Sequence, residues 1–181
     1  MHDEYDLTNL NNETKKRTNS KAKGSRFERK VASLFNDRFK TKEFSRTPGS
    51  GAFATTHSLP DHLQIYGDLI TPKNFNYCIE CKKGYKNINI NHLLDYSSQL
   101  WKFINQCEKD AKKCNKEPMV IFQQDRQPIL CIVKCWQTHE NQIVLGTTGY
   151  KVILFEEALS VWSDGDWLST PPLADYLPQS Y

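Results

Sequence analysis

The chain has 181 residues, with 24 Lys and Arg against 21 Asp and Glu, for a net charge of +3. Hydrophobic residues make up 38% and charged residues 25%, which fits one folded domain and excludes a wholly disordered chain. No apolar run approaches the roughly 20 residues of a membrane helix, so a membrane partner is not expected.

The start, MHDEYDLTNLNNETKKR, lacks the apolar stretch of a secretory signal. Six cysteines then read as reduced thiols in a cytoplasmic protein that is not secreted. The charge is unevenly spread. Residues 15–46 hold twelve Lys and Arg against three acids, and the remainder is net acidic. A basic block on an acidic chain points to a polyanion, although a solvated face with a soluble tail has the same composition.

Residues 1–22 are polar and read as a mobile arm. A helix is predicted over 25–39, because Phe27, Val31, Leu34 and Phe35 form one apolar stripe. Ser25 and Glu28 have the spacing of a capping box at its start. SRTPGSG, 45–51, is a turn-rich loop, and 52–64 is irregular. Strands follow at 65–70 and 76–82. In the second, Tyr77, Ile79 and Cys81 alternate with Cys78, Glu80 and Lys82. A long helix is predicted over 90–113, with strands at 118–123, 129–134 and 150–155 and a short helix at 156–162. The order gives a mixed α/β (α+β) layered domain. A core is expected over 23–135, with 136–181 as a strand and helix extension packed on it.

The chemistry-bearing set is Glu28, Gly67-Asp68 and Glu80-Cys81-Lys82. Glu80 and Lys82 are two apart on a strand and share a face. Asp68 reaches that face if its strand lies alongside. Two converging carboxylates make a hard-oxygen site for Mg²⁺ or Mn²⁺. A nearby lysine can orient water or neutralise a phosphorane, which is equipment for phosphodiester hydrolysis. A Glu-x-Lys pair alone is commonly a surface ion pair. The joint order of the pieces is what carries weight.

Together, GSRFERKVASLF, SRTPGSGAF, GDLI and CIECKK resemble the PD-(D/E)xK nuclease superfamily, in particular the archaeal-type and viral Holliday junction resolvases. The resemblance extends to PMVIFQQDRQPILCIV and covers residues 23–135. It implies a restriction-endonuclease-like core, a central mixed β-sheet flanked by helices. It implies catalytic roles for Glu28, Asp68, Glu80 and Lys82. Asp68, Glu80, the backbone carbonyl of Cys81 and Glu28 would hold Mg²⁺, for which Mn²⁺ can substitute. No organic cofactor is implied. Arg26, Arg29, Lys30, Arg46, Ser50, Lys23 and Lys83 would contact DNA. A branched substrate, a homodimer and a nucleoid or viral replication site are further implications. The proline usual before the first aspartate is replaced by Gly67. A sequence-specific restriction-like or homing nuclease stays open on the same residues, as does a non-catalytic DNA-binding module.

CxxC at 78–81 is not expected to bind zinc, because positions three apart on a strand face opposite ways. His57 and His62 lack a partner motif. Trp136, Trp162 and Trp167 are numerous enough for an interaction patch, without a spacing that demands one.

Overall fold

The computed structural model describes residues 20–48, 66–134, 143–144 and 149–168. Helix α1 (Ser20–Phe39) turns Phe27, Val31, Ala32 and Phe35 inward, the stripe expected from their spacing. It begins at Ser20 rather than Ser25, so Ser25 and Glu28 lie within it and are not its cap. The extra turn has a tertiary anchor: Lys23 lies 2.6 Å from Asp125, far along the chain.

A short ribbon follows. Strand β1 (Ser45–Arg46) runs antiparallel to β2 (Leu69–Ile70), with Arg46 opposite Leu69. Sequence reading made 45–51 a loop, because two paired residues show no alternation. His57, His62 and the whole 52–64 stretch lie outside the described residues.

The main sheet holds β3 (Tyr77–Lys83), β4 (Glu117–Gln123), β5 (Leu130–Lys134), β6 (Ile143–Val144) and β7 (Tyr150–Leu154). Their order is β3-β4-β5-β7-β6. The β3–β4 pair is parallel and the other pairs are antiparallel, so the sheet is mixed, as expected. A parallel pair needs a crossover, and helix α2 (Gln99–Lys113) supplies it.

The helix predicted over 90–113 is divided. A 3₁₀ turn, Ile90–Leu94, precedes α2. The break falls at Asp95–Ser98, where Asp95 Oδ1 accepts from Ser97 N–H at 2.9 Å and from the Ser97 hydroxyl at 2.7 Å. Ser98 then caps α2 by accepting from Trp101 N–H. Short polar side chains that bond nearby backbone compete with a continuing helix, and apolar spacing alone cannot reveal it.

Each face of the sheet carries its own core. On one side α1, α3 (Phe155–Val161) and α4 (Asp164–Trp167) cover Tyr77, Ile79, Cys81, Met119, Ile121, Cys131 and Ile153. An aromatic pile fills the space. The Phe35 ring lies 5.0 Å from Phe44, 5.3 Å from Phe75, 5.2 Å from Phe155 and 5.5 Å from Trp167. Trp162 and Trp167 belong to this core and are no surface patch. On the other side α2 covers Val120, Phe122, Ile132 and Val152 with Leu100, Trp101, Phe103 and Ile104. Among the described residues no helix is long and apolar enough to cross a membrane.

Candidate active site

β3 ends the sheet, and its outer edge is where the candidate residues meet. The chain arrives there through Gly67, whose φ is +75°. A Cβ on Gly67 would stand 2.6 Å from the Ile79 carbonyl oxygen and 3.0 Å from Cys78 Sγ. Only glycine allows that approach without displacing backbone. Gly67 therefore brings the next residue against β3.

Asp68 is fixed on three sides. Its N–H donates to the Ile79 carbonyl at 2.8 Å, and its own carbonyl accepts from Thr47 N–H at 3.0 Å. Its Oδ2 accepts from Cys81 N–H at 2.8 Å. Glu80 and Lys82 project from the β3 face opposite Cys81, with the Lys82 ammonium bonded to Glu80 Oε1 and 3.9 Å from Asp68 Oδ2. The ammonium also sits 5.3 Å from the centre of the Phe103 ring on α2. Glu28 comes from α1, on the other layer, and is ion-paired to Arg46 of β1. The site thus draws on both helical layers and the ribbon. Asp68, Glu80 and Glu28 are all buried, at 7–8% exposure.

Burying these groups sets their electrostatics. Loss of water raises the Asp68 carboxyl above its ordinary range, and Glu28 adds to the rise. Lys82, the Cys81 N–H and Arg46 oppose it. Burial followed by repulsion from Asp68 pushes Glu80 up to about 7, despite Lys82. Burial works against the Lys82 charge, but Glu80 and Asp68 overcome it and hold the ammonium above its usual range. Two carboxylates share one full cation, which leaves room for more positive charge.

The donor set fits a hard divalent ion. Asp68 and Glu80 offer carboxylate oxygens. In a strand the N–H and C=O of one residue point the same way, so the Cys81 carbonyl shares the outer edge with its N–H, where Asp68 lies. Glu28 is held by Arg46, and among the described residues no three acidic, thiol or imidazole groups form a ready-made cage. The fit is to two carboxylates and a carbonyl, with Glu28 as reserve.

A family model described as "Phage putative PDDEXK endonuclease" matches residues 19–156. The chain belongs to that family. A protein of Escherichia phage T5 named Protein D14 is 35% identical over 113 residues, covering 59% of this chain. The match spans 66% of that relative, just under two thirds of its length. No solved structure matches the chain.

Around this candidate site the expected DNA-contacting residues fall into two groups. Arg26, Arg29 and Lys30 are exposed on α1. Lys23 is paired with Asp125, and Lys83 donates to Gln123 Oε1 at 2.7 Å. Burial lowers the Lys83 ammonium from its ordinary value, and Lys30, Lys23 and Arg26 push it further down against Asp125. These cations crowd one surface and repel one another. Arg46 is ion-paired to Glu28 through Nε, and Ser50 lies outside the described residues.

Sequence reading missed two participants. Thr47 steadies Asp68 through its backbone, and its buried hydroxyl has no hydrogen-bond partner among the described residues. Phe103 floors Lys82, and nothing in the helix predicted over 90–113 points to the site. The CxxC pair divides as expected. Cys81 enters the core under α1 and Cys78 faces the thiols of Cys107 and Cys114 on the α2 side.

Proposed function

We propose that the chain is a Mg²⁺-dependent DNA endonuclease that cuts branched DNA, four-way junctions foremost, as a homodimer. The observation that carries this reading is the meeting of buried Asp68 and Glu80 with Lys82 at an open sheet edge. Asp68, Glu80 and the Cys81 carbonyl would hold the ion, with Mn²⁺ able to replace Mg²⁺ and Glu28 in support. A bound divalent ion supplies charge neutralisation at phosphate and an acidified water.

The chain's own groups do the rest. Cys81 N–H and the Ile79 carbonyl keep Asp68 oriented toward the edge. Lys82, charged and pinned over Phe103, donates to a phosphate oxygen or to the attacking water. Departure of the 3′ oxygen leaves 5′-phosphate and 3′-hydroxyl ends. Arg26, Arg29, Lys30, Arg46, Lys23, Lys83 and Ser50 would bind phosphates flanking the cut. Phosphate contacts set position and carry no base information, which favours a structure-selective enzyme. A two-fold dimer would present one site to each of two opposed strands.

The test is a cleavage panel in Mg²⁺, with an immobile four-way junction, a Y-fork, a nicked duplex and a linear duplex of one sequence. Paired cuts near the junction crossover, absent from Asp68→Asn, are expected. Equal cutting of the linear duplex would remove the junction preference and keep the nuclease. Binding without cutting of any substrate would leave a non-catalytic module.

A further inference from the structure

An open cleft of about 400 Å³ lies on the segment that follows β3, lined by Tyr85, Lys86, Asn87, His92, Asp95 and Gln99 among others. It adjoins the active site. The Tyr85 ring packs edge-on against Phe103, 4.9 Å between centres, and the Lys82 ammonium lies 5.3 Å from the centre of that same Phe103 ring. Tyr85 is nonetheless 40% exposed, so part of its ring is offered to solvent.

The walls carry a particular mixture. Tyr85 is a rigid aromatic platform. Asn87 and Gln99 can each donate and accept. His92 Nδ1 accepts from Asn89 N–H at 3.1 Å, which leaves Nε2–H to donate outward. Hydrogen bonds from Ser97 lower the Asp95 carboxyl below its ordinary range, so it accepts. Lys86 adds a cation beside them. The segment is anchored, because Gln124 Nε2 donates to the Ile88 carbonyl. A flat ring to stack on, paired donors and acceptors, one cation and room for a single small ligand describe a nucleobase site. A duplex would not enter it.

We propose that this cleft takes one unstacked nucleobase of the DNA strand being cut, stacked on Tyr85 and held by its edge. The proposal rests on the nuclease reading above and adds a substrate requirement: the nucleotide beside the scissile phosphate must leave its stack. Branched and nicked DNA yields a base at lower cost than intact duplex does. The cleft thereby gives a chemical reason for preferring such substrates.

The experiment walks a single 2-aminopurine through three positions on each side of the cut in the four-way junction. The full chain is added in EDTA, so that nothing is cleaved. Emission is expected to change at least two-fold at one position only. Tyr85→Ala should abolish the change at protein concentrations that saturate the junction, and Tyr85→Phe should restore it. Cleavage by Tyr85→Ala in Mg²⁺ should fall about ten-fold. No emission change at any position, on a junction that is bound and then cut when Mg²⁺ is added, would overturn the base site and leave the nuclease standing. If only linear duplex is bound and cut, the same walk on that duplex decides by the same rule. If no DNA is bound in EDTA and none is cut in Mg²⁺, both readings fall together.

Discussion

The pile under α1 and the edge of β3 are both buried, and they are built on opposite terms. Around Phe35 four aromatic rings stand within 5.5 Å of its centre. That arrangement gains apolar burial and ring-to-ring geometry together. At the edge, Asp68 and Glu80 are equally hidden but repel each other across one shared ammonium. The first region stabilises the fold. The second costs stability, because burial and mutual repulsion raise both carboxyls.

Breaking the pile should have the largest effect on folding. Phe35→Ala removes a ring that is fully buried, and it should lower unfolding free energy by about 3–5 kcal/mol. Urea unfolding measures this. A loss below about 1 kcal/mol would mean that the neighbouring rings close the gap.

The edge should respond with the opposite sign. Glu80→Gln should stabilise the metal-free protein by about 1–3 kcal/mol at pH 8 while abolishing cleavage. The sign follows from a folded pKa of about 7 against an ordinary 4.5. The folded chain binds that proton more tightly than the unfolded chain. The stability it contributes is therefore full below 4.5 and lost as pH rises through 7. The gain from Gln should be small at pH 5 and complete above pH 7, read by urea unfolding in EDTA. A gain independent of pH would show that repacking, not charge, caused it.

The smallest effect sharpens the comparison from outside. Arg29 is exposed and belongs to neither region. Arg29→Ala should leave unfolding within about 0.5 kcal/mol of the parent chain and reduce the slope of log affinity against log salt by about 1 for junction and duplex alike. An unchanged slope would remove Arg29 from the phosphate contacts.

These two regions were unequally legible in the sequence. Strict alternation in β3 separated Tyr77, Ile79 and Cys81 from Glu80 and Lys82, and the structure keeps that separation. The Gly67-Asp68 pair was visible, yet its reason was not, because the close approach to Ile79 depends on a neighbouring strand. The pile was half visible. Phe27, Val31 and Phe35 had helical spacing, while Phe44, Phe75 and Trp167 come from loops and a one-turn helix with no period to read. Arg46 was placed near DNA, and its pairing with Glu28 depends on a two-residue ribbon that leaves no pattern. The helix break at Asp95–Ser98 was written in plain turn residues and was overridden by the apolar spacing around it.

The bond from Cys81 N–H to Asp68 has a second consequence, for solution behaviour. A terminal strand normally offers unpaired amides and carbonyls to any other strand that drifts past. Here the Asp68 carboxylate takes the Cys81 amide and the Asp68 amide takes the Ile79 carbonyl. The residue proposed to hold the metal thereby also takes two edge groups of β3 that another strand would otherwise pair with. An inactive variant that is to stay monodisperse therefore needs a side chain that can still accept from Cys81, which asparagine has and alanine lacks.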